Sequence, residues 1–346
     1  MRAIAALAAM TMLAGCARSA APNASQPGFV PAAAARPRVG IALPLGKCVN
    51  MANMLEPPHE GDWGRAIAED DFAIIKAGGF ASVRLPVNFA GHAGAAPPYA
   101  IDPVFMARVR HVVDLAMAAK LNVLIEMHGY DGLNTQPSES IARFTALWRQ
   151  IADAFSDRPD ASVWFELANE PHDKVDNANL LSLIKPALAA IRVTNKRRPV
   201  IVGGQNYSNV RSLATLPLPD DPYIVPTFHY YDPFEFTHQG ASFMANAPPV
   251  GRRFGAQADR DQLAANLKIV LDYMARSGRV PFLGEYGAYD DIPHDQRLAY
   301  YREVSSAWAS IGVQSCAWGY SNSFRLRADH GWIPGMPQAI ATTLAQ

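Results

Sequence analysis

Glu170 lies in the run from Phe165 to His172 (FELANEPH), and Glu285 in the run from Pro281 to Gly287 (PFLGEYG). In both, a short apolar stretch gives way to a carboxylic acid, with Pro171 or Gly287 close behind to end an extended segment. Two carboxyl groups brought to one place can divide the hydrolysis of an acetal between them. One protonates the leaving oxygen while the other attacks the carbon or activates water. A separation of about 5–5.5 Å suits direct attack with retention of configuration, whereas a wider gap leaves room for a water. Asn169, directly before Glu170, adds an amide able to bond a hydroxyl.

Side chains so far apart in the chain need a rigid frame to bring them together. Short β-branched or apolar runs alternate with longer stretches of helical period, as repeated βα units require. Eight strands are predicted: Lys47–Met51, Ala81–Val87, Asn122–Met127, Ala161–Leu167, Pro199–Val202, Ile224–His229, Val280–Gly284 and Gln314–Ala317. Helices are predicted over Asp62–Ala77, Pro103–Ala119, Glu139–Phe155, Asn179–Thr194, Asp261–Ser277 and Asp295–Ser310, several opened by Asp, Asn or Ser. Eight such units fit a (β/α)8 barrel, for which roughly 250 residues suffice, so residues 37–346 are expected to form one catalytic domain.

A barrel gathers its working residues at the C-terminal ends of the strands. Counting by twos places Arg84 on the second strand, Glu126 and His128 on the third, and Glu166 and Glu170 on the fourth. Thr227, His229 and Tyr231 fall on the sixth, Glu285 on the seventh, and Trp318 and Tyr320 on the eighth. Arg84 reads either as a structural ion-pair partner or as a fixed cation that keeps Glu285 ionised. His128 and His229 are either satisfied core histidines or donors to a sugar or to the carboxylates. Tyr231 either packs or donates to the nucleophile. Trp318 is either core or an aromatic platform for a sugar face, with Trp63 and Trp332 weaker candidates of the same kind. Glu126 and Glu166 lie deeper and read as structural partners of Arg84. The long segment from Tyr230 to Ala258, with Phe234, Phe236 and Phe243, is expected to order over the active face.

Composition narrows the field further. Thirty-one basic residues balance thirty-one acidic ones, so no field attracts a polyanion and nucleic acid is not an expected partner. The nine histidines are scattered, with no metal-ligand spacing and no glycine-rich phosphate loop, so neither metal nor cofactor is expected. Residues 1–15 read as a signal peptide ending in Leu13-Ala14-Gly15 before Cys16, too short to span a bilayer. The four residues resemble a bacterial lipobox with Cys16 the lipidated residue, and residues 16–36 read as an Ala/Pro-rich tether. The expectation is an exported protein, periplasmic or anchored at the outer membrane, touching membrane only through that lipid, and monomeric.

With these residues in view, the chain resembles glycoside hydrolase family 5, the cellulase family. The resemblance rests on Lys47 to Glu56, Val83-Arg84-Leu85-Pro86, Met127-His128, Asn169-Glu170-Pro171, Phe228-His229-Tyr230-Tyr231 with Thr237-His238-Gln239-Gly240-Ala241, and Gly284-Glu285-Tyr286-Gly287, in that order. It implies a retaining endo-β-glycosidase acting on β-1,4-glucan, with mannan, xyloglucan and β-1,3-glucan as alternatives, and a non-catalytic surface carbohydrate-binding protein as the rival class. It implies that Glu170 is the acid/base and Glu285 the nucleophile, with Asn169, Asn50, Arg84, His128, His229, Tyr231 and Trp318 around the sugar. Cys48, Ala52 and Gly129 depart from the family pattern, Gly129 standing where a second histidine is frequent. Cys48 and Cys316 fall on neighbouring first and last strands, where a bond would be strained, so free thiols are expected.

Overall fold

The structure, a computed structural model, describes residues 40–342. The segments read as signal peptide, Cys16 and tether lie outside them. Eight parallel strands close a barrel in chain order: β1 (Cys48–Asn50), β2 (Ser82–Val87), β3 (Asn122–Met127), β4 (Val163–Glu166), β5 (Val200–Val202), β6 (Ile224–His229), β7 (Phe282–Tyr286) and β8 (Ser315–Ala317). β8 returns to β1 with Cys316 opposite Cys48 and Ala317 opposite Val49.

Helices Pro103–Ala118, Pro137–Ala154, Leu180–Thr194, Gln257–Ser277 and His294–Ser310 follow their strands. Their ends obey local chemistry. The Asp102 carboxylate accepts from the Val104 N–H at 2.8 Å with Pro103 in the first turn, and Gly278 terminates its helix at φ +68°. The first helix is shorter than predicted, covering only Asp71–Ala77. Gly64 sits at φ +143° against the Asn322 amide, where a Cβ would come within 2.5 Å, so the chain before Asp71 turns instead of coiling. The β5–β6 connection holds only short turns, including a 3-10 segment at Val210–Ala214.

Strand alternation sorts the apolar residues into two bodies. Val49, Val83, Leu85, Val123, Ile125, Phe165, Val200 and Leu283 belong to the large cluster that includes the helices. Leu124, Trp164, Ile201, Val225, Phe282, Cys48 and Cys316 form a separate cluster with Leu43 and Leu45, which fills the barrel's lower interior. Above this apolar plug the inward positions turn polar, with Asn50, Arg84, Glu126, Glu166, Thr227 and His229 all buried.

Cys48 and Cys316 are joined in a disulfide, contrary to the expected free thiols. Their Cα atoms are 4.3 Å apart, because directly paired parallel residues both point inward at this height. The bond therefore staples the seam where the first strand meets the last. In the long segment after β6, Phe234 and Phe243 reach the mouth of the barrel, while Phe236 is fully buried against Phe254 and Tyr300. Among the described residues no helix is long and apolar enough to cross a membrane.

Candidate active site

Two backbone irregularities aim the carboxylates. Glu170 adopts φ +43°, a left-handed conformation that costs a residue with a side chain about 1–3 kcal/mol and is held by its surroundings. The ring nitrogen Nδ1 of His172 lies 2.6 Å from the Glu170 carbonyl. On β7 the pairing with β6 slips, Phe228 facing Leu283 but His229 facing Glu285. Phe282 points into the plug, so strict alternation would send Glu285 outward; the bulge at Gly284 restores it to the barrel mouth. Only glycine fits there, since a Cβ would lie 2.9 Å from both His229 Nε2 and Thr227 Oγ1.

The carboxylates then meet in one network. An oxygen of Glu170, an oxygen of Glu285 and a ring nitrogen of His229 lie within 4.8 Å of one another. His229 Nδ1 is 2.7 Å from Glu170 Oε1 and 3.6 Å from Glu285 Oε2. Arg84 donates to Glu285 Oε1 at 2.7 Å and forks onto Glu166 at 2.8 and 2.9 Å, with Glu126 at 3.5 Å. A further Arg84 N–H goes to Asn169 Oδ1 at 2.9 Å, which fixes the amide so that its NH₂ is turned away from the guanidinium. The Tyr231 hydroxyl donates to Glu285 Oε2 at 3.0 Å. His128 Nδ1 lies 2.9 Å from Glu126 Oε2.

Charge follows from this geometry. Burial pushes the Glu285 carboxyl up, but His229, Arg84 and His128 outweigh it and hold the group below its ordinary range. Burial pushes His229 down, yet Glu285 and Glu170 carry it upward on balance. His128 shows the same contest, won by Glu126, and rises to about 9. Burial and the neighbouring Glu285 drive the Tyr231 phenol far above its usual value, so it remains a donor.

A cleft of about 610 Å³ opens above this network, walled by His128, Asn169, Glu170, His229, Tyr231, Glu285 and Trp318. Two predicted sugar contacts are not among its walls. Asn50 and Arg84 are fully buried, and Asn50 spends its amide on Arg84 and on the Gly284 carbonyl; both act beneath the cleft floor. Trp332 stacks on Phe80 at 5.1 Å and packs, partly buried, against the core, and Trp63 is 52% exposed outside the cleft. Tyr320 is buried with its hydroxyl on Asp71. The cleft also includes Tyr207, His238, Met244 and Phe324, none of them predicted as site residues. His238 stood within the quoted Thr237–Ala241 motif, whereas nothing in the pattern around Tyr207 or Phe324 marked them.

Glu170, His229 and Glu285 are also the one group among the described residues with metal-ligand character. Their atoms are already engaged, however. Glu285 accepts from Arg84 and Tyr231, and Glu170 contacts His229; a cation here would face the Arg84 guanidinium across one carboxylate. The donor set fits proton and glycosyl transfer better than metal binding.

A closed parallel barrel presenting two facing carboxylates at the C-terminal ends of β4 and β7 is the arrangement of a barrel glycoside hydrolase. Residues 46–323 match the cellulase family, glycosyl hydrolase family 5, and the chain belongs to that family. Endoglucanase H of Acetivibrio thermocellus is 31% identical over 274 residues, covering 79% of this chain but only 29% of that protein. Thermotoga maritima Cel5A, solved with cellobiose, superposes with a TM-score of 0.82 at 33% identity, covering 85% of this chain and 97% of that one. The same enzyme has been solved with mannotriose, where the TM-score is 0.83 at 33% identity with coverage of 86% and 97%.

Proposed function

We propose that the chain is a retaining endo-β-1,4-glucanase. The observation that carries this reading is the approach of the Glu170 and Glu285 oxygens to within 4.8 Å, which suits direct attack and leaves no gap for an intervening water. Glu285, kept ionised by Arg84 and His229, attacks the anomeric carbon as Glu170 gives its proton to the departing sugar oxygen. Glu170 then takes a proton from water, whose oxygen displaces Glu285 from the glycosyl-enzyme. His229 contacts both carboxylates and orients Glu170 through both steps. Asn169 and His128 offer donors to the sugar hydroxyls, and Trp318 offers a ring face. The endoglucanase names of the relatives support β-1,4-glucan as substrate. The mannotriose complex of a 33% identical neighbour supports β-mannan as a second substrate.

The reading also places the chain outside the cytoplasm, anchored through lipidated Cys16; the Cys48–Cys316 disulfide supports an oxidising compartment. Reducing-sugar release from linear glucans and mannans, with Glu285→Gln as control, tests the activity. Near-normal hydrolysis by Glu285→Gln would remove Glu285 from the attacking role.

A further inference from the structure

Glu170 gives and takes the proton in the reading above, yet among the described residues a single side chain meets its carboxyl, His229 at 2.7 Å from Oε1. The rest of its direction is left to the backbone. That backbone is bent into left-handed conformations, with Glu170 at φ +43° and Asp173 at φ +51°, which residues with side chains keep only when their surroundings impose them.

His172, which no step of the double displacement uses, lies between these two residues. Its Nδ1 is 2.6 Å from the Glu170 carbonyl oxygen; a carbonyl only accepts, so Nδ1 carries the hydrogen and the tautomer is fixed. Its backbone N–H donates to Asn134 Oδ1 at 3.1 Å, which ties it to the segment after β3. Tyr207 fixes the plane of the imidazole, the two rings stacking with centroids 4.5 Å apart and planes 13° from parallel. Tyr207 belongs to the connection after β5, where Asn206, Tyr207 and Ser208 take φ +54°, +60° and +52° in succession. That connection is bound to the one after β4. The Tyr207 N–H donates to the Pro171 carbonyl at 3.1 Å, the Gln205 N–H to Asn177 Oδ1 at 3.0 Å, and the Asn177 N–H to Gln205 Oε1 at 2.8 Å. Left-handed residues on two neighbouring loops thus converge on one imidazole and one carbonyl.

We infer that His172 is a positioning residue for proton transfer: by donating to the Glu170 carbonyl from a ring stacked on Tyr207, it holds the turn that presents the Glu170 carboxyl to the cleft. The inference rests on the glycosidase reading above and deepens it. Without that bond the turn relaxes toward negative φ and the carboxyl swings away from the linkage. A leaving oxygen that needs a proton then departs slowly, whereas one that leaves as a stable anion does not feel the loss.

The full-length protein is assayed on cellotetraose and on 2,4-dinitrophenyl β-cellobioside, whose phenolate departs unprotonated, with kcat/KM as the readout of the first displacement. His172→Phe keeps a ring against Tyr207 and removes the donor; His172→Asn returns an N–H at the same branch of the side chain. The expected result for His172→Phe is a loss of tenfold or more on cellotetraose with the dinitrophenyl substrate within threefold of the parent, and for His172→Asn recovery on cellotetraose to within threefold. Should His172→Phe not fold, His172→Ala carries the same comparison. Equal losses on both substrates, no loss on either, or a His172→Asn protein as slow as His172→Phe would overturn the positioning role and leave the glycosidase reading standing. A set of variants none of which folds would assign His172 to stability and overturn it too. A parent enzyme that cleaves neither substrate would instead overturn the glycosidase reading itself.

Discussion

Replacing Arg84 with Gln separates the chemical from the structural meaning of this buried cation. Arg84 touches Glu285, Glu166 and Glu126 within 3.5 Å, and all four side chains are nearly or fully buried. Removing one partner of a buried ion pair costs about 3–5 kcal/mol, because the carboxylates left behind are neither solvated nor paired. For a domain of this size about 2 °C is lost per kcal/mol, so Tm should fall by roughly 6–10 °C. The effect on activity has its own sign. Glu285 is held below its ordinary range, so the ionised form needed for attack is lost as pH falls through that lowered value. Without Arg84 the same loss occurs at higher pH, and since a neighbouring cation shifts a carboxylate by about 1–3 units, the acid limb of kcat/KM should move up by that amount. Arg84→Lys keeps the charge but not the fork, and should restore most of the limb while remaining less stable than the parent. A pH profile measured on cello-oligosaccharides below the melting transition reads the result. If Tm falls as expected while the acid limb stays in place, Arg84 is a strut alone and the idea that it ionises Glu285 is wrong.

Tyr231→Phe removes the hydroxyl that donates to Glu285; a bond to a charged group is worth about 1.5–3 kcal/mol, so kcat/KM should drop roughly tenfold to a hundredfold with little change in Tm. Reducing the Cys48–Cys316 bond, which closes a separation of 268 residues, should lower unfolding stability by about 3–5 kcal/mol. Calorimetry with and without reductant tests this, and both thiols titrating in the denatured, unreduced chain would refute it. His128, raised from 6.5 to about 9, contributes stability that is complete below pH 6.5 and is lost as pH climbs through 9. Unfolding free energies from urea titrations should decline across that window by at most about 3 kcal/mol, and His128→Gln should flatten the decline.

Much of this site could be read before any coordinate. The βα rhythm announced the barrel, and Asn169-Glu170 and Gly284-Glu285 stood out because an acid ending an apolar run is a local pattern. What escaped was decided by partners distant in sequence. No periodicity marks the slip between β6 and β7, yet without it Glu285 would face the outer shell. Asn50 carries a residue type suited to binding a sugar, and only its neighbours Arg84 and Gly284 show that its amide is consumed below the floor. The two cysteines looked too close to bond when judged by strand adjacency alone. Their shared inward direction at the seam reversed that expectation. The predicted helix start near Asp62 failed where Gly64, at φ +143°, packs against Asn322, hundreds of residues away.

The division of labour proposed for the two glutamates is the sharpest case of the same rule. Each sits in a similar local run, and nothing in either run distinguishes attacker from proton donor. The asymmetry comes from Arg84, 201 residues before Glu285, whose five N–H groups are shared among Glu285, Glu166, Asn50 and Asn169. Glu170 has no contact with that guanidinium and meets His229 instead. In the proposed mechanism, a cation fixed under one carboxylate and an imidazole beside the other would give two chemically identical side chains different tasks, with the barrel supplying the rigidity that keeps them different.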